Sequence, residues 1–401
     1  MPKILVISND GVPDGYGRIS MNVNVRLRAR GYDVQAVSLT YDGLLPPAYD
    51  GAPLPYWVGA LAQKPNWVES AIAVIHAQQP DMIMVIQDAP YADAIRSAPL
   101  DWSRYGFIML TPVDGVPIHP RWVDLMTNAD AALSISQFGV DAYRKAGAHV
   151  TLCRPGVDAN TFFRLPDDQR RDIRARLGIP DSAFVVGTAA QNQGRKAVSL
   201  MLQAFFRFAA DKPDARYLLD MDAQSPAGWD LPALCQQYGY DTGKLMFRND
   251  AARMGVPLLR DRMNVMDAHM VIAHREGYGL PLVEAMACGT VSMALDYCSG
   301  AEICGDGRGV LIQPIDYAVP GTWGNAEDKF PDMHDLVGKL QHLHDHPHER
   351  AAIAERGMAW ARQQTWDAAA DAVQEAIERV MTKRRAIPPA QLPLSLLEKG
   401  A

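Results

Sequence analysis

The segment Arg275–Gly289 (REGYGLPLVEAMACG) gathers the residue types best able to do chemistry in this sequence. Glu276 and Glu284 flank a glycine-containing loop and the start of a helix. Gly277 and Gly279 let the backbone turn tightly and present its N–H groups. Pro281 fits the first helical position, where its missing N–H costs nothing. Gly289 closes the helix before a strand at Val291. The spacing predicts a helix N-terminus aimed out of a strand end and preceded by backbone donors, the construction of a diphosphate site. Glu284, placed in the first turn, could accept bonds from ribose hydroxyls beside that diphosphate. On residue type alone, both glutamates can equally be helix acids that favour the dipole.

Other candidates are weaker in isolation. Arg195 and Lys196, in QNQGRKAVSL, form a basic pair at a helix start, which is commonly a surface feature. Asp114, in TPVDGVPIHPRW, follows an apolar strand, but an aspartate before glycine is also an ordinary turn residue. Gly15-Tyr16-Gly17 follows the first strand after an intervening segment, Asn9 to Asp14. A dinucleotide fingerprint would follow the strand directly, with an acid ending the second strand about 20 residues on. Val34–Ser38 ends in no acid, which disfavours a nicotinamide oxidoreductase. His342, His344, His346 and His348 alternate around Pro347 as a metal tract or a solvated loop would.

These groups need elements to hold them, and the rhythm of the chain is α/β. Short apolar runs at Lys3–Ser8, Asp33–Ser38, Met82–Val85, Phe107–Thr111 and Ala131–Ile135 read as strands covered on both faces. A second series runs through Phe184–Gly187, Tyr217–Asp220, Lys244–Phe247, Met270–Ala273, Val291–Leu295 and Gly309–Ile312. Between the series, Pro155–Pro166 reads as a linker, followed by a charged helix at Asp167–Leu177 closed by Gly178. Met21–Arg30 alternates like a strand, yet Ser20 as a cap, Gly31 as a stop and the α/β rhythm favour a helix. A helical pattern from Pro347 to about Arg385 breaks near Thr365–Trp366, and a proline-rich tail follows it. Arg170–Arg176 and Lys383–Arg385 read as solvated helix faces.

With 401 residues, the chain suits two α/β domains better than one core. Its 48% hydrophobic and 21% charged residues are those of a folded chain, and a net charge of −7 offers no global field for nucleic acid or anionic lipid. KILVIS reads as a buried strand and not as a signal peptide, and no apolar run is long enough for a membrane span. The five cysteines read as structural thiols of a reducing compartment. A cytoplasmic protein, peripheral to a membrane at most, is expected.

REGYGLPLVEAMACG resembles the E-x7-E signature of the retaining GT-B glycosyltransferases of family 4, also called group 1. DGYGRIS, SISQFGVDAYRKAG, RPGVDANTFF, GWDLPALCQQYG, LDYCSGAEICGDGRGVLI and Thr365–Trp366 sit where that family has similar text, so the resemblance covers most of the chain. It implies two Rossmann-like doubly wound domains facing a cleft. Residues 1–160 would present the acceptor, residues 161–366 would hold a nucleotide-sugar donor, and a helix in 367–401 would pack back on the first domain.

The resemblance further implies a hexosyltransferase using a UDP- or GDP-sugar with retention and without a metal or other cofactor. The acceptor remains open among glycan, lipid, protein, small molecule and nucleic-acid base. Glu276 would bond the donor sugar, Glu284 the ribose, and Lys196 with Arg195 the diphosphate, aided by the backbone of Gly277, Tyr278, Gly279 and Leu280. Gln191 occupies a position where the family usually has arginine, which removes one phosphate-site charge. Gly15 and Gly17 would lie under the diphosphate or at the acceptor entrance. Asp114, with His119 as a lesser alternative, stands where the family often has a histidine near the donor sugar. Glu302 would orient the nucleotide or Lys196, or else cap a helix. The histidine run falls in a variable loop of the family, which favours the solvated reading. A GT-B-fold epimerase and a non-catalytic nucleotide-sugar-binding scaffold are the rival functions.

Overall fold

A computed structural model describes residues 2–12, 14–40, 56–58, 67–248, 255–321 and 324–386. The proline-rich tail lies outside them.

The first domain runs β1 (Lys3–Ser8), α1 (Gly15–Ala29), β2 (Asp33–Ser38), β3 (Tyr56–Val58), α2 (Trp67–Gln78), β4 (Met82–Ile86), α3 (Ala89–Arg96), β5 (Gly106–Thr111), α4 (Pro120–Thr127), β6 (Ala131–Ser134), α5 (Gln137–Lys145) and β7 (Thr151–Leu152). Its sheet has the order β3-β2-β1-β4-β5-β6-β7, and its pairings are parallel. Every residue of β4 and β5 is buried, as expected of central strands covered on both faces. Strand order turns outward in both directions from the β1/β4 junction. That reversal opens a crevice at the carboxyl ends of the strands.

The second domain runs α6 (Asp167–Leu177), β8 (Phe184–Ala189), α7 (Val198–Phe208), β9 (Ala215–Asp220), α8 (Leu231–Tyr238), β10 (Leu245–Arg248), α9 (Val256–Val265), β11 (Ala268–Val271), α10 (Leu280–Ala287), β12 (Val291–Leu295), α11 (Cys298–Cys304) and β13 (Val310–Ile312). Its order, β10-β9-β8-β11-β12-β13, has the same reversal at β8/β11. An antiparallel hairpin follows, β14 (Pro314–Pro320) with β15 (Glu327–Pro331). Then come α12 (Met333–Asp345), α13 (Pro347–Ala361) and α14 (Trp366–Ala386). Helix α14 returns to the first domain, where Arg26 meets Asp367, Arg30 meets Asp371 and Arg384 donates to the Tyr105 carbonyl. One apolar core runs from β1, α1 and α14 into α10 of the second domain.

Several expectations change. The segment from Met21 is helical, but the helix begins at Gly15 and its cap is Asp14, whose side chain accepts from the Gly17 N–H. Gly15-Tyr16-Gly17 is therefore a first helical turn and not a loop. A Cβ on Gly17 would lie 2.0 Å from the Val12 carbonyl oxygen, so the chain can turn there with glycine alone. The strand-like alternation arose because Ser20, Asn22 and Asn24 are buried polar residues. Asn24 donates to buried Asp10 at 2.8 Å.

Arg170 and Arg174 are not a solvated face. Both reach Asp267, at 3.0 and 2.8 Å, and Arg174 is buried under carbonyls of Ala183 and Val265. The histidine run is a helix junction and not a loop. His342 and His344 end α12, and His348 lies in α13. His344 is bonded to Asp214 and Asp345 and lies against Phe184 and Phe208.

Candidate active site

The carboxyl edges of the two sheets face each other across a cleft of about 1240 Å³ lined from both domains. Asp14 and Tyr16 follow β1, Asp88 follows β4 and Asp114 follows β5. From the second domain come Gln191, Arg195 and Lys196 after β8, Asp220 and Asp222 at the end of β9, and Glu276 to Pro281 after β11.

Lys196 closes a single 3-10 turn, Gly194–Lys196, and is 9% exposed. Its Nζ bonds Glu276 Oε2, bringing together two groups 80 residues apart. Arg195 Nη1 lies 3.7 Å from the same oxygen and donates to the Arg275 carbonyl at 3.1 Å. Burial opposes the charge on Glu276, but Lys196 and Arg195 beside it hold its carboxyl below the ordinary range. Burial, reinforced by the adjacent Arg195, pushes Lys196 down against the pull of Glu276. For Arg195, burial is outweighed by Glu276 and Asp114, which push it up.

Helix α10 starts beside this cluster. Gly279 is left-handed at φ 94°, a conformation that favours glycine, and Leu280 begins the helix with Pro281 in its first turn. The start of that turn, Leu280 and Pro281, lines the cleft next to two cations, so the positive end of the helix faces it, which is the geometry of an anion site. Gly277 lets the walls approach, since a Cβ there would lie 2.6 Å from Cβ of Pro112 in the first domain. Tyr278 contributes its backbone to the cleft while its ring is buried, with the hydroxyl donating to the Pro155 carbonyl at 3.0 Å.

Glu284 is not in the first turn of α10 and does not line the cleft among the described residues. It is 1% exposed and forms an ion pair with Arg18 of α1, in the opposite domain. Glu302 lies away from both Lys196 and the cleft. It binds Arg154 at 2.5 Å and accepts from the Phe138 N–H at 3.2 Å, tying α11 to the first domain. Asp114 and Gly15 line the cleft, whereas Gly17 does not. The Asp114 carbonyl accepts from Cys298 Sγ, a further tie between domains. His119 caps α4 instead of facing the cleft. Gln191 faces it and accepts from Gln193 at 2.7 Å.

Sequence reasoning missed Asp88, Arg18 and the β14/β15 hairpin. Tyr16 donates to Asp88 at 2.5 Å. Burial, set against that hydrogen bond and reinforced by Asp114, raises the Asp88 carboxyl to about 6. Its place just past a central strand was the available signal. Arg18 directly follows the glycine pair. The hairpin holds Arg275 through Asp328 at 2.6 Å and meets the first domain through the Glu327 N–H and the Val116 carbonyl at 2.9 Å.

Two parallel-sheet domains joined at two crossings, with a charged cluster where their carboxyl edges meet, match solved structures along nearly their whole length. Sucrose-phosphate synthase from Thermosynechococcus elongatus superposes with a TM-score of 0.75 at 17% identity, covering 96% of this chain and 100% of that one. HepE from Anabaena, in complex with UDP and glucose, gives 0.70 at 18% identity, covering 94% and 100%. The chain has the GT-B fold.

No family model matches the sequence of this GT-B chain. Curated relatives are named D-inositol 3-phosphate glycosyltransferase. That of Kineococcus radiotolerans is 30% identical over 264 residues, 62% of this chain and 55% of the relative. That of Stackebrandtia nassauensis is 30% identical over 279 residues, 68% and 57% respectively. The GT-B chain thus aligns with little more than half the length of these glycosyltransferases. No helix among its described residues is long and apolar enough to cross a membrane.

Proposed function

We propose that the chain is a retaining, metal-independent glycosyltransferase that moves a hexose from a UDP- or GDP-sugar to a separate acceptor. The second domain holds the donor and the first presents the acceptor. The observation that carries this reading is the Lys196–Glu276–Arg195 cluster at the N-terminus of α10, inside the interdomain cleft.

In this mechanism the donor diphosphate lies against Arg195, Lys196 and the first turn of α10. The bond between the anomeric carbon and the phosphate oxygen breaks, and the acceptor oxygen bonds that carbon on the same face. The acceptor proton passes to the departing diphosphate. Lys196 and Arg195 are fixed before the reaction, so they stabilise the growing phosphate charge without reorganising. Glu276 is held by Lys196 and accepts from hydroxyls of the donor sugar. Glu284 gives one oxygen to Arg18, and its buried Oε2 has no partner among the described residues, so contact with the donor ribose requires the domains to part at this pair.

The sequence relatives and the UDP complex of HepE support a nucleotide-sugar donor. The name of the relatives, D-inositol 3-phosphate glycosyltransferase, makes a cyclitol, tried with and without its phosphate, the first acceptor pair to compare. An epimerase or a binding scaffold is distinguished by incubating the protein with a panel of UDP-, GDP- and ADP-sugars. Acceptors are added to the same panel, and chromatography against authentic sugar standards with mass spectrometry reads the products. A new glycoside supports transfer, an isomerised sugar supports epimerisation, and binding without turnover supports a scaffold.

A further inference from the structure

The two walls of the cleft differ in charge. On the second-domain wall, Arg195, Lys196 and Arg275 balance Asp220, Asp222 and Glu276, with Arg195 and Lys196 at the first turn of α10. On the first-domain wall, the described charged residues are Asp14, Asp88, Asp114 and Arg18. Arg18 is committed to Glu284. Three carboxylates therefore face the space opposite the donor, with no uncommitted cation from their own domain among the described residues. The fields of Asp88 and Asp114 are felt by Arg195 across the gap, which places them on the same chamber as the diphosphate cations.

The same wall carries aromatic faces. Tyr16 is held by its bond to Asp88. Trp67 and Tyr91 line the cleft with ring centroids 5.7 Å apart, and Tyr91 is 37% exposed. Carboxylates and amides that accept from hydroxyls, beside aromatic faces that cover C–H surfaces, suit a polyhydroxylated ring. They disfavour a phosphate, which would meet like charge in a partly desolvated pocket.

We infer that the acceptor is an uncharged sugar or cyclitol ring and that Asp88 and Asp114 discriminate against its phosphorylated forms. This rests on the donor and acceptor sides assigned under the proposed function. The carboxylates act as specificity determinants by accepting from acceptor hydroxyls and repelling anions. Among the described residues, a phosphate on the acceptor meets no cation of the first-domain wall that is not already bound to Glu284.

The test uses the full chain saturated with UDP. It is titrated with two matched pairs of probes, myo-inositol against myo-inositol 1-phosphate and glucose against glucose 6-phosphate. Saturation-transfer NMR reads the binding. At least one neutral ring should bind, and its phosphate ester should bind at least about tenfold more weakly, equivalent to about 1.4 kcal/mol. In Asp88→Asn/Asp114→Asn the gap between the two should narrow at least about threefold while UDP affinity holds. An ester that binds as tightly as its parent overturns the inference. Absence of binding by all four probes while UDP binds normally also overturns it. Failure of UDP, GDP and ADP to bind would instead overturn the donor reading.

Discussion

Half-buried Arg18 of the first domain and buried Glu284 of the second form an ion pair that spans the two halves of the molecule. Removing one partner of such a pair leaves an uncompensated buried charge. The contact therefore couples domain closure to the state of the residue assigned to the donor ribose. Domain ties at Tyr278–Pro155, Arg154–Glu302 and Val116–Tyr297 hold the same arrangement from the sides.

A double-mutant cycle measures that coupling. Arg18→Ala and Glu284→Ala should each lower the melting temperature, and the double variant should be less destabilised than their sum. The interaction should lie within about 0.5–3 kcal/mol, as for residues in direct contact. In kinetics, Glu284→Ala should chiefly raise the donor KM, because a ribose contact is made equally in ground and transition states. Strict additivity in the thermal data would show that the pair does not link the domains in solution.

Gly277→Ala probes the close approach of the walls. Its Cβ would lie 2.6 Å from Cβ of Pro112, too close for either domain to stay in place. The variant should fold with a lowered melting temperature, scatter as a more open particle with UDP bound, and lose most of its kcat. A wild-type scattering curve with wild-type kcat would mean that closure does not require this contact.

The buried carboxyl of Asp10 gives a pH signature. Burial, against hydrogen bonds from Ser20 and Asn24, raises it from 3.8 to about 7. A raised acid binds its proton more tightly in the folded state, so its contribution to stability falls as pH rises from about 4 to 7. Asp10→Asn removes that loss. At pH 8 it should stabilise by up to about 4 kcal/mol, at about 1.4 kcal/mol per pKa unit, with the gain vanishing near pH 4. Melting curves over that range check both the sign and the window. A gain that is constant with pH would assign the effect to packing.

The alternation of buried strands with helices was legible because parallel sheets covered on both faces leave apolar runs such as Met82–Ile86 and Val291–Leu295. The glycine-framed turn before α10 was legible for a local reason, since loop conformation and helix start are set within a few residues. Glu284 was misplaced because one turn of α10 decides whether it meets solvent, ligand or Arg18, and the partner lies in another domain. The β14/β15 strands were missed because their burial is only partial and follows no alternation. The helix over Met21–Arg30 was legible despite its alternation, but its start was placed at Ser20 because the buried polar Ser20, Asn22 and Asn24 mimic a solvent face.

Gln191 tests the register of the phosphate site. It faces the cleft beside Gln193 and carries no charge. Gln191→Arg should preserve turnover and tighten UDP or GDP, with the gain shrinking as salt is raised. Unchanged affinity at low salt would place the diphosphate away from this loop.

The central claim is that Lys196 and Arg195 stabilise charge on a departing diphosphate, and one kinetic comparison addresses it most directly. Wild type, Lys196→Ala and Arg195→Ala are assayed with the nucleotide sugar that the donor panel identifies, at fixed acceptor. Lys196→Ala should lower kcat by about 10²–10³-fold, the usual loss for one preorganised donor, while binding UDP with little change. Wild-type kcat in both variants would place the diphosphate elsewhere and contradict the account.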